Sequence, residues 1–150
     1  MPALPPVDNR FASGFRSLVG YETIAWRDGY AEIALTIGPQ HLNSIAIVHG
    51  GVYVTILDAV LGHAACWCDT PGHVRASVTV SLTTSFLKGA REGMRLVARG
   101  RLIGVNDRMA TCAGDIVDPA GTLCATGQGS FRYLPGSQAA EGFPGAPKQR

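Results

Sequence analysis

One apolar segment, residues 45–67, limits what this chain can fold into. It contains no Lys or Arg and only one acidic residue, Asp58. Its length is that of a membrane span, but His49-Gly50-Gly51, Asp58 and His63 interrupt it, and a carboxylate in mid-membrane is costly. We therefore interpret the stretch from about Gly50 to Cys66 as one long helix, apolar on nearly every side, that the rest of a globular fold must enclose.

Strand patterns dominate the remainder of the chain. Two strands, 21–27 and 30–37, flank Asp28-Gly29, a dipeptide typical of tight hairpin turns. Turns rich in Gly, Pro, Asn and Asp separate four further predicted strands, which are 74–87, 94–103, 108–117 and 122–134. The first of these alternates, so that one set of side chains should face one way and a hydroxyl set the other: Ala76, Val78, Val80, Leu82, Thr84 and Phe86 against Ser77, Thr79, Ser81, Thr83 and Ser85.

The order of these elements predicts the fold class and the domain organisation. Runs of strands with one segregated helix indicate an α+β protein, here an antiparallel sheet of five or six strands curved around the long helix. A chain of 150 residues suffices for one domain. We expect a leader with a short helix over 1–19, the domain over 20–134, and a disordered tail over 135–150, where Gly, Pro, Ala, Ser and Gln dominate.

Charge and composition argue against several classes of partner. The net charge is only +2 and the basic residues are spread along the chain, so neither a nucleic acid nor a membrane is an expected partner. The N-terminal residues lack the apolar run of a secretory signal, so we expect a cytoplasmic protein. The four cysteines are expected to be reduced and buried, and they are Cys66, Cys68, Cys112 and Cys124.

A zinc site is suggested by His63, Cys66, Cys68 and His73, since Cys and His are the usual ligands of zinc. Helical geometry argues against it, because Cys66 and Cys68 would point about 200° apart at ~100° per residue. We therefore predict no metal.

The His49-Gly50-Gly51 junction is the first candidate for chemistry. Glycines at a helix start let a ligand approach the backbone, and the free N–H groups of the first turn stabilise developing negative charge. The carbonyl of a thioester becomes an oxyanion during acyl transfer, and such donors favour it. The alternative is that the glycines only turn the chain.

Asp58 is the second candidate, because a carboxylate inside an apolar helix is costly unless it is paired. Gly51, Thr55, Asp58 and Gly62 recur at spacings of four, three and four, which places them on one face of the helix. A purely structural hydrogen bond and a functional role both remain open for Asp58. Gly50 and Asp58 are separated by about 12 Å along one helix at ~1.5 Å per residue, so a shared reaction would need Asp58 from a second subunit.

These residues also match a known family. The pattern Asn43-x5-His49-Gly50-Gly51-x6-Asp58, followed by Thr-Val-Ser-Leu-Thr-Thr-Ser-Phe-Leu-Lys over 79–88, resembles the PaaI-type hotdog thioesterases over about residues 20–134. The resemblance implies an acyl-CoA thioesterase that forms homodimers or a dimer of dimers, with no cofactor beyond the coenzyme A of its substrate.

The resemblance also implies roles for individual residues. Gly50 would donate its N–H to the oxyanion, and Asp58 of the partner subunit would act as nucleophile or general base. Asn43 and His49 would position the reacting groups, and Ser77 would help to orient the attacking group. Further contacts with the substrate or CoA are expected from Gly51, Thr55, Gly62, Phe86, Lys88, Arg91 and Arg108, the basic ones near its phosphates together with Arg95.

The sequence departs from the family pattern at three places. Ala46 stands where Gly is common, Ser44 where Pro is frequent, and Lys88-Gly89 where Arg-Pro is usual. These departures bear on loop shape and CoA contacts. Two alternatives to hydrolysis remain open: a hotdog hydratase or dehydratase of enoyl or 3-hydroxyacyl thioesters that uses His49 as acid and base, and a non-catalytic acyl-CoA-binding domain.

Overall fold

The computed structural model of the chain describes residues 13–145. Two helices are present in this part, α1 (Gly14–Val19) and α2 (Gly50–Ala65), with a short 3₁₀ turn at Pro39–His41 between strands and α2. The eight strands of the same part are β1 (Glu22–Arg27), β2 (Tyr30–Thr36), β3 (His73–Val74), β4 (Ser77–Phe86), β5 (Arg95–Asn106), β6 (Met109–Val117), β7 (Leu123–Tyr133) and β8 (Phe143–Pro144). Their order matches the prediction.

Six strands form one sheet in the order β1-β2-β5-β6-β7-β4, and every neighbouring pair is antiparallel. Helix α2 packs against this sheet and buries Ile56, Leu57, Val60 and Leu61 in the core. The Asp28-Gly29 turn joins β1 to β2, with Arg27 opposite Tyr30. The architecture is the predicted α+β hotdog fold, and the expectation of an antiparallel sheet of five or six strands around one long helix is confirmed, with six strands observed.

A row of three glycines lets α2 approach the sheet closely. Gly100, Gly114 and Gly127 lie opposite one another on β5, β6 and β7. A Cβ atom on Gly100 would come within 2.7 Å of the Val60 carbonyl oxygen, and one on Gly127 would be 3.2 Å from a methyl group of Leu57. The absence of side chains in this row therefore sets the distance between helix and sheet.

Strand β4 is an edge strand, and a β-bulge changes its expected alternation. Its pairing with β7 shifts register between Thr79 and Ser81. Thr79 faces α2, whereas Val78 and Val80 are exposed. The prediction that Val78 and Val80 share a face with Leu82 was wrong, because the extra residue of a bulge exchanges the two faces of a strand.

The strand ends differ from the sequence prediction in smaller ways. Strand β5 continues through the predicted turn to Asn106, and the chain reverses at Asp107, whose φ is 41°. The predicted strand 74–87 is divided into β3 and β4.

The predicted disordered tail is wrong for residues 135–145. Strand β8 pairs with β3, and the buried Ser137 hydroxyl accepts a hydrogen bond from the Ala76 N–H at 2.9 Å. A composition rich in Gly, Pro and Ser suggested disorder, but a few backbone hydrogen bonds hold the segment in place. The predicted helix 9–19 is observed from Gly14, while its first residues, the leader 1–8 and the end of the tail, 146–150, lie outside the described residues.

Neither helix within residues 13–145 has the length and apolarity needed to cross a bilayer. All four cysteines are free thiols, but only three are buried, since Cys68 is half-exposed near the chain segment at Glu141. Burial raises the pKa of Cys112 to about 12. The expected burial is therefore confirmed for Cys66, Cys112 and Cys124 and was wrong for Cys68.

Candidate active site

The start of α2 presents one free backbone donor. His49 is the N-cap residue, and its Nδ1 accepts the Gly51 N–H at 2.8 Å while its carbonyl accepts the Val52 N–H at 2.9 Å. No acceptor for the Gly50 N–H is found among residues 13–145. Because the positive end of the helix dipole lies at this point, Gly50 can donate to a developing negative charge and Gly51 cannot.

A cavity of about 340 Å³ opens beside Gly50. The ring of Phe86 lies 3.4 Å from the point where a Cβ of Gly50 would be, and it stacks on Tyr53 with ring centroids 6.3 Å apart. The Tyr53 hydroxyl donates to the Lys88 carbonyl at 2.8 Å. Further residues line the same cavity, including Asn43, Ile47, Val48, Leu87 and Gly89. Phe86, a predicted contact of the substrate or CoA, therefore lies next to the helix start.

Asn43 shapes the loop that leads to the helix. Its Oδ1 accepts the N–H groups of Ile45 and Ile47 at 3.0 and 3.3 Å, which fixes a tight turn. Within this turn Ala46 has a φ of 60°, in the left-handed region that favours glycine. This conformation explains in physical terms why Gly suits the position that Ala46 occupies here.

Asp58 lies on the uncovered side of α2, where it is half-buried. Its Oδ1 accepts a hydrogen bond of 2.6 Å from the Thr79 hydroxyl on β4. Its other oxygen has no hydrogen-bond donor within the described part of the chain. The carboxylate is therefore held in one orientation and keeps one oxygen available to a ligand.

The side chain of Asp58 lines a second cavity, which has a volume of about 490 Å³. Three predicted residues share this cavity with it, Thr55, Gly62 and Ser77. The Ser77 hydroxyl accepts a weak hydrogen bond from the Cys66 thiol at 3.3 Å, and the Thr55 hydroxyl donates to the Gly51 carbonyl of its own helix at 2.8 Å. The cavity walls are mainly apolar, with Phe15, Tyr21, Trp26, Val54, Leu82 and Phe131 among the lining residues.

Within one chain, the Gly50 N–H and the Asp58 carboxylate therefore lie apart from each other. Gly50 and Asp58 line different cavities, and they are about 12 Å apart along the axis at ~1.5 Å per residue. A thioester carbonyl bound at Gly50 lies beyond the reach of Asp58 in the same subunit.

The basic residues expected at the CoA phosphates do not form one cluster. Lys88 donates to Asp118 Oδ2 at 2.7 Å, and this bond raises the pKa of Lys88 and lowers that of Asp118. Arg91 is exposed in the turn before β5. Arg108 lies near Tyr133, at the opposite end of β6 from Asp118.

Sequence reasoning missed two residues that matter to this site. Thr79, which holds Asp58, was assigned only to a hydroxyl face. Asp118, whose side chain is 3 % exposed, fixes Lys88 and also accepts the N–H groups of Ala120 and Thr122 at 2.9 Å. The turn sequence Asp-Pro-Ala-Gly was a signal for such a capping aspartate.

The suspected zinc ligands have other partners. His63 Nδ1 donates to the Ala59 carbonyl at 2.6 Å and its ring contacts Trp26, while His73 Nδ1 is 2.9 Å from the Glu141 carbonyl. Burial lowers the pKa of His63. Residues 13–145 contain no group of three or more His, Cys, Asp or Glu arranged to hold a metal ion.

Comparison with known proteins identifies the family. The thioesterase superfamily model matches residues 46–125, which include the helix start, Asp58 and strand β4. A candidate esterase of Archaeoglobus fulgidus is 26% identical over 113 residues, covering 75% of this chain and 70% of its own length.

Solved structures agree on the fold. The PaaI protein of Escherichia coli, from the phenylacetic acid degradation operon, has a TM-score of 0.74 at 22% identity, covering 83% of this chain and 87% of that one. A hypothetical thioesterase of Streptococcus pneumoniae, solved with coenzyme A, has a TM-score of 0.68 at 20% identity, covering 76% and 88%. Because the superfamily match spans more than half of the sequence, this chain belongs to the thioesterase superfamily and is a hydrolase of thioester bonds.

Proposed function

We propose that the protein hydrolyses a small acyl-CoA to the free acid and CoA at a site shared by two copies of the chain. The observation that carries this proposal is the separation of Gly50 and Asp58 into different cavities of one subunit. Family membership supports the reaction, and the S. pneumoniae relative in fold, which was solved with coenzyme A, supports CoA as the thiol.

The edge strand β4 offers a way to join two subunits. Its ten residues carry no charge, and within the described sheet it pairs only with β7. Exposed edge strands are usually protected by charge or by a partner, and the exposed side chains of Val78, Val80 and Phe86 favour a partner here. Antiparallel pairing of β4 with a second copy of itself would give a closed two-fold dimer.

Such a pairing would also complete the site. If two β4 strands pair about their middle, Phe86 of one copy lies opposite Ser77 of the other. Gly50 lies next to Phe86. Asp58 accepts a hydrogen bond from Thr79, which is two residues from Ser77. The partner's Gly50 would then approach Asp58, and the cavity beside Asp58 would lie between the two subunits.

In this arrangement each residue has a defined task. The Gly50 N–H donates to the thioester carbonyl oxygen and stabilises the negative charge that forms on it. The free oxygen of Asp58 either attacks the carbonyl carbon or takes a proton from the water that does. The carbon–sulfur bond breaks, CoA leaves as a thiolate that takes up a proton, and water supplies the oxygen and hydrogen of the product acid.

His49 acts in this scheme through the backbone. By accepting the Gly51 N–H it fixes the first turn of α2 and aims the neighbouring Gly50 N–H outward. Use of Nδ1 as an acceptor also leaves a neutral ring with its proton on Nε2. This engagement favours hydrolysis over the alternative in which His49 is the acid and base of a hydratase.

The test is a screen of the purified protein against acyl-CoAs with a thiol-detecting reagent. We expect hydrolysis, and a loss of at least about 100-fold in kcat for Asp58→Ala and Asp58→Asn, a magnitude typical of losing an acid, base or nucleophile. Asp28→Asn is a matched control, because Asp28 lies in the hairpin turn at the opposite edge of the sheet and Asn suits that turn equally well. Unchanged turnover in both Asp58 variants would refute the mechanism.

A further inference from the structure

The cavity beside Asp58 has a second charged residue in its wall, Arg75. Arg75 is half-buried and lines the same cavity as Asp58 and Ser77. It precedes Thr79, the hydrogen-bond partner of Asp58, by four residues, which is roughly 13 Å of extended chain at ~3.3 Å per residue. The two charged residues therefore lie at separate points of one cavity wall.

The guanidinium of Arg75 is held in position by groups that do not offset its positive charge. Its Nε and Nη1 donate to the carbonyls of Ser137 and Trp67 at 2.9 and 3.1 Å, and Nη2 donates to the Gln138 carbonyl at 3.4 Å. The group also lies over the Tyr133 ring, 4.7 Å from its centroid. All of these partners are neutral. An arginine has five N–H donors, so donors remain for a ligand.

Three arginines of the sheet are paired differently. Arg95, Arg99 and Arg101 each lie within 4 Å of a carboxylate, from Glu22, Glu32 and Asp115. Arg75 has no carboxylate at that distance within residues 13–145. A half-buried cation without a counter-ion at the wall of a cavity is a natural partner for an anionic group of a ligand.

The lining of the cavity beside Asp58 suits an apolar acyl chain. Trp26, Leu82 and Phe131 contribute to the walls, and among residues 13–145 Asp58 is the only acidic residue that lines the cavity. The titratable neighbours of Arg75 include the Tyr133 hydroxyl and the Cys66 thiol, and His63 lines the same cavity; burial raises the pKa of Tyr133 and of Cys66 and lowers that of His63. An anion at the Arg75 end therefore meets no negative side chain of the cavity lining close by.

We propose that this cavity binds an acyl group of medium length whose far end carries a carboxylate, and that Arg75 recognises that carboxylate. The inference rests on the proposed thioesterase function and narrows it to monothioesters of dicarboxylic acids. The phosphates of CoA are the other anions of the substrate. The volume of about 490 Å³ and the mainly apolar walls beside Asp58 favour the acyl chain over them.

The experiment compares two esters of equal chain length, suberoyl-CoA and octanoyl-CoA. We expect the wild-type protein to prefer suberoyl-CoA by about tenfold or more in kcat/KM, the effect of one charge-assisted hydrogen-bonded pair. Arg75→Gln should abolish this preference, and Arg101→Gln, on an arginine paired with Asp115, should keep it.

Three results would overturn the inference. The first is hydrolysis of both esters by wild-type protein without a preference for suberoyl-CoA. The second is an equal loss for both esters in Arg75→Gln, which would assign Arg75 to a CoA phosphate or to the fold. The third is a calorimetric result on the wild-type protein, a measurement that needs neither turnover nor a folded variant. Suberate that binds no more tightly than octanoate would contradict the inference. Absence of turnover of any acyl-CoA, with suberate still preferred, would instead refute the proposed function alone.

Discussion

The Thr79 hydroxyl donates a 2.6 Å hydrogen bond to Asp58 and thereby ties the edge strand β4 to helix α2. The bond holds one carboxylate oxygen and leaves the other available, so Thr79 is a positioning residue for the proposed chemistry. We predict that Thr79→Val lowers kcat by about tenfold, the effect of losing one hydrogen bond to a charged group, with little change in KM.

Thr79→Ser provides the matched control, because it keeps the hydroxyl and removes only a methyl group. We expect it to retain most of the wild-type kcat. Steady-state kinetics on the best substrate of the screen measures both variants. Equal kcat values for Thr79→Val and the wild-type protein would show that Asp58 needs no such support.

The contact between Thr79 and Asp58 also shows where sequence reasoning stops. Simple alternation placed Val78 and Val80 with Leu82, because nothing in a run of Ser, Thr and Val marks the residue at which a bulge forms. The position of the bulge is set by pairing with β7, a long-range contact. Helix α2, by contrast, was predictable almost to the residue, because its apolar length and its Gly-Gly start are local signals.

The glycine row under α2 leads to a prediction about stability. Gly100→Ala should lower the free energy of unfolding by more than about 2 kcal/mol, because its Cβ would lie 2.7 Å from the backbone carbonyl oxygen of Val60 and force the helix to shift. Gly104→Ala, on the same strand, should change stability by less than about 1 kcal/mol, since nothing lies within 4 Å of its Cβ. Urea denaturation compares the two, and similar losses would refute the packing argument.

The glycine row was not predicted either, although all three glycines are plain in the sequence. Isolated glycines within strands suggest bulges or close approaches, and only the register of three strands shows that Gly100, Gly114 and Gly127 form one row. Arg108 gives a similar case: the turn that precedes β6 was evident from the sequence, but the end of the sheet at which it lies depends on how the strands pair.

Stability should fall in mild acid because of His63. Burial lowers its pKa in the folded protein below the ordinary value of 6.5, so below about that pH the unfolded chain binds a proton that the folded protein does not. The contribution of neutral His63 to the free energy of unfolding is fully present above pH 6.5. It is lost as the pH falls towards the pKa of His63 in the folded protein, with a slope of up to about 1.4 kcal/mol per pH unit.

His63→Gln should flatten this dependence. The variant keeps a polar side chain near Thr23 and Ala59 but cannot titrate. Urea denaturation of wild type and variant at several pH values between about 5.5 and 7.5 makes the comparison. An identical slope in the two proteins would exclude His63 as the source.

The shared active site can be tested by combining two inactive chains. Gly50→Pro removes the N–H donor with little cost to the helix, because Pro suits the first helical position and His49 already has the extended conformation required before it, with φ −67° and ψ 135°. Gly50→Ala, which keeps the N–H, controls for the added carbon near Phe86.

The decisive measurement is the activity of a heterodimer of Gly50→Pro and Asp58→Ala chains, co-expressed with different tags and purified through both. A site built from Gly50 of one chain and Asp58 of the other leaves one intact site in each heterodimer, so we predict about half of the wild-type kcat per dimer. If both residues had to come from one chain, neither site would be intact. A heterodimer as inactive as its parents would contradict the account.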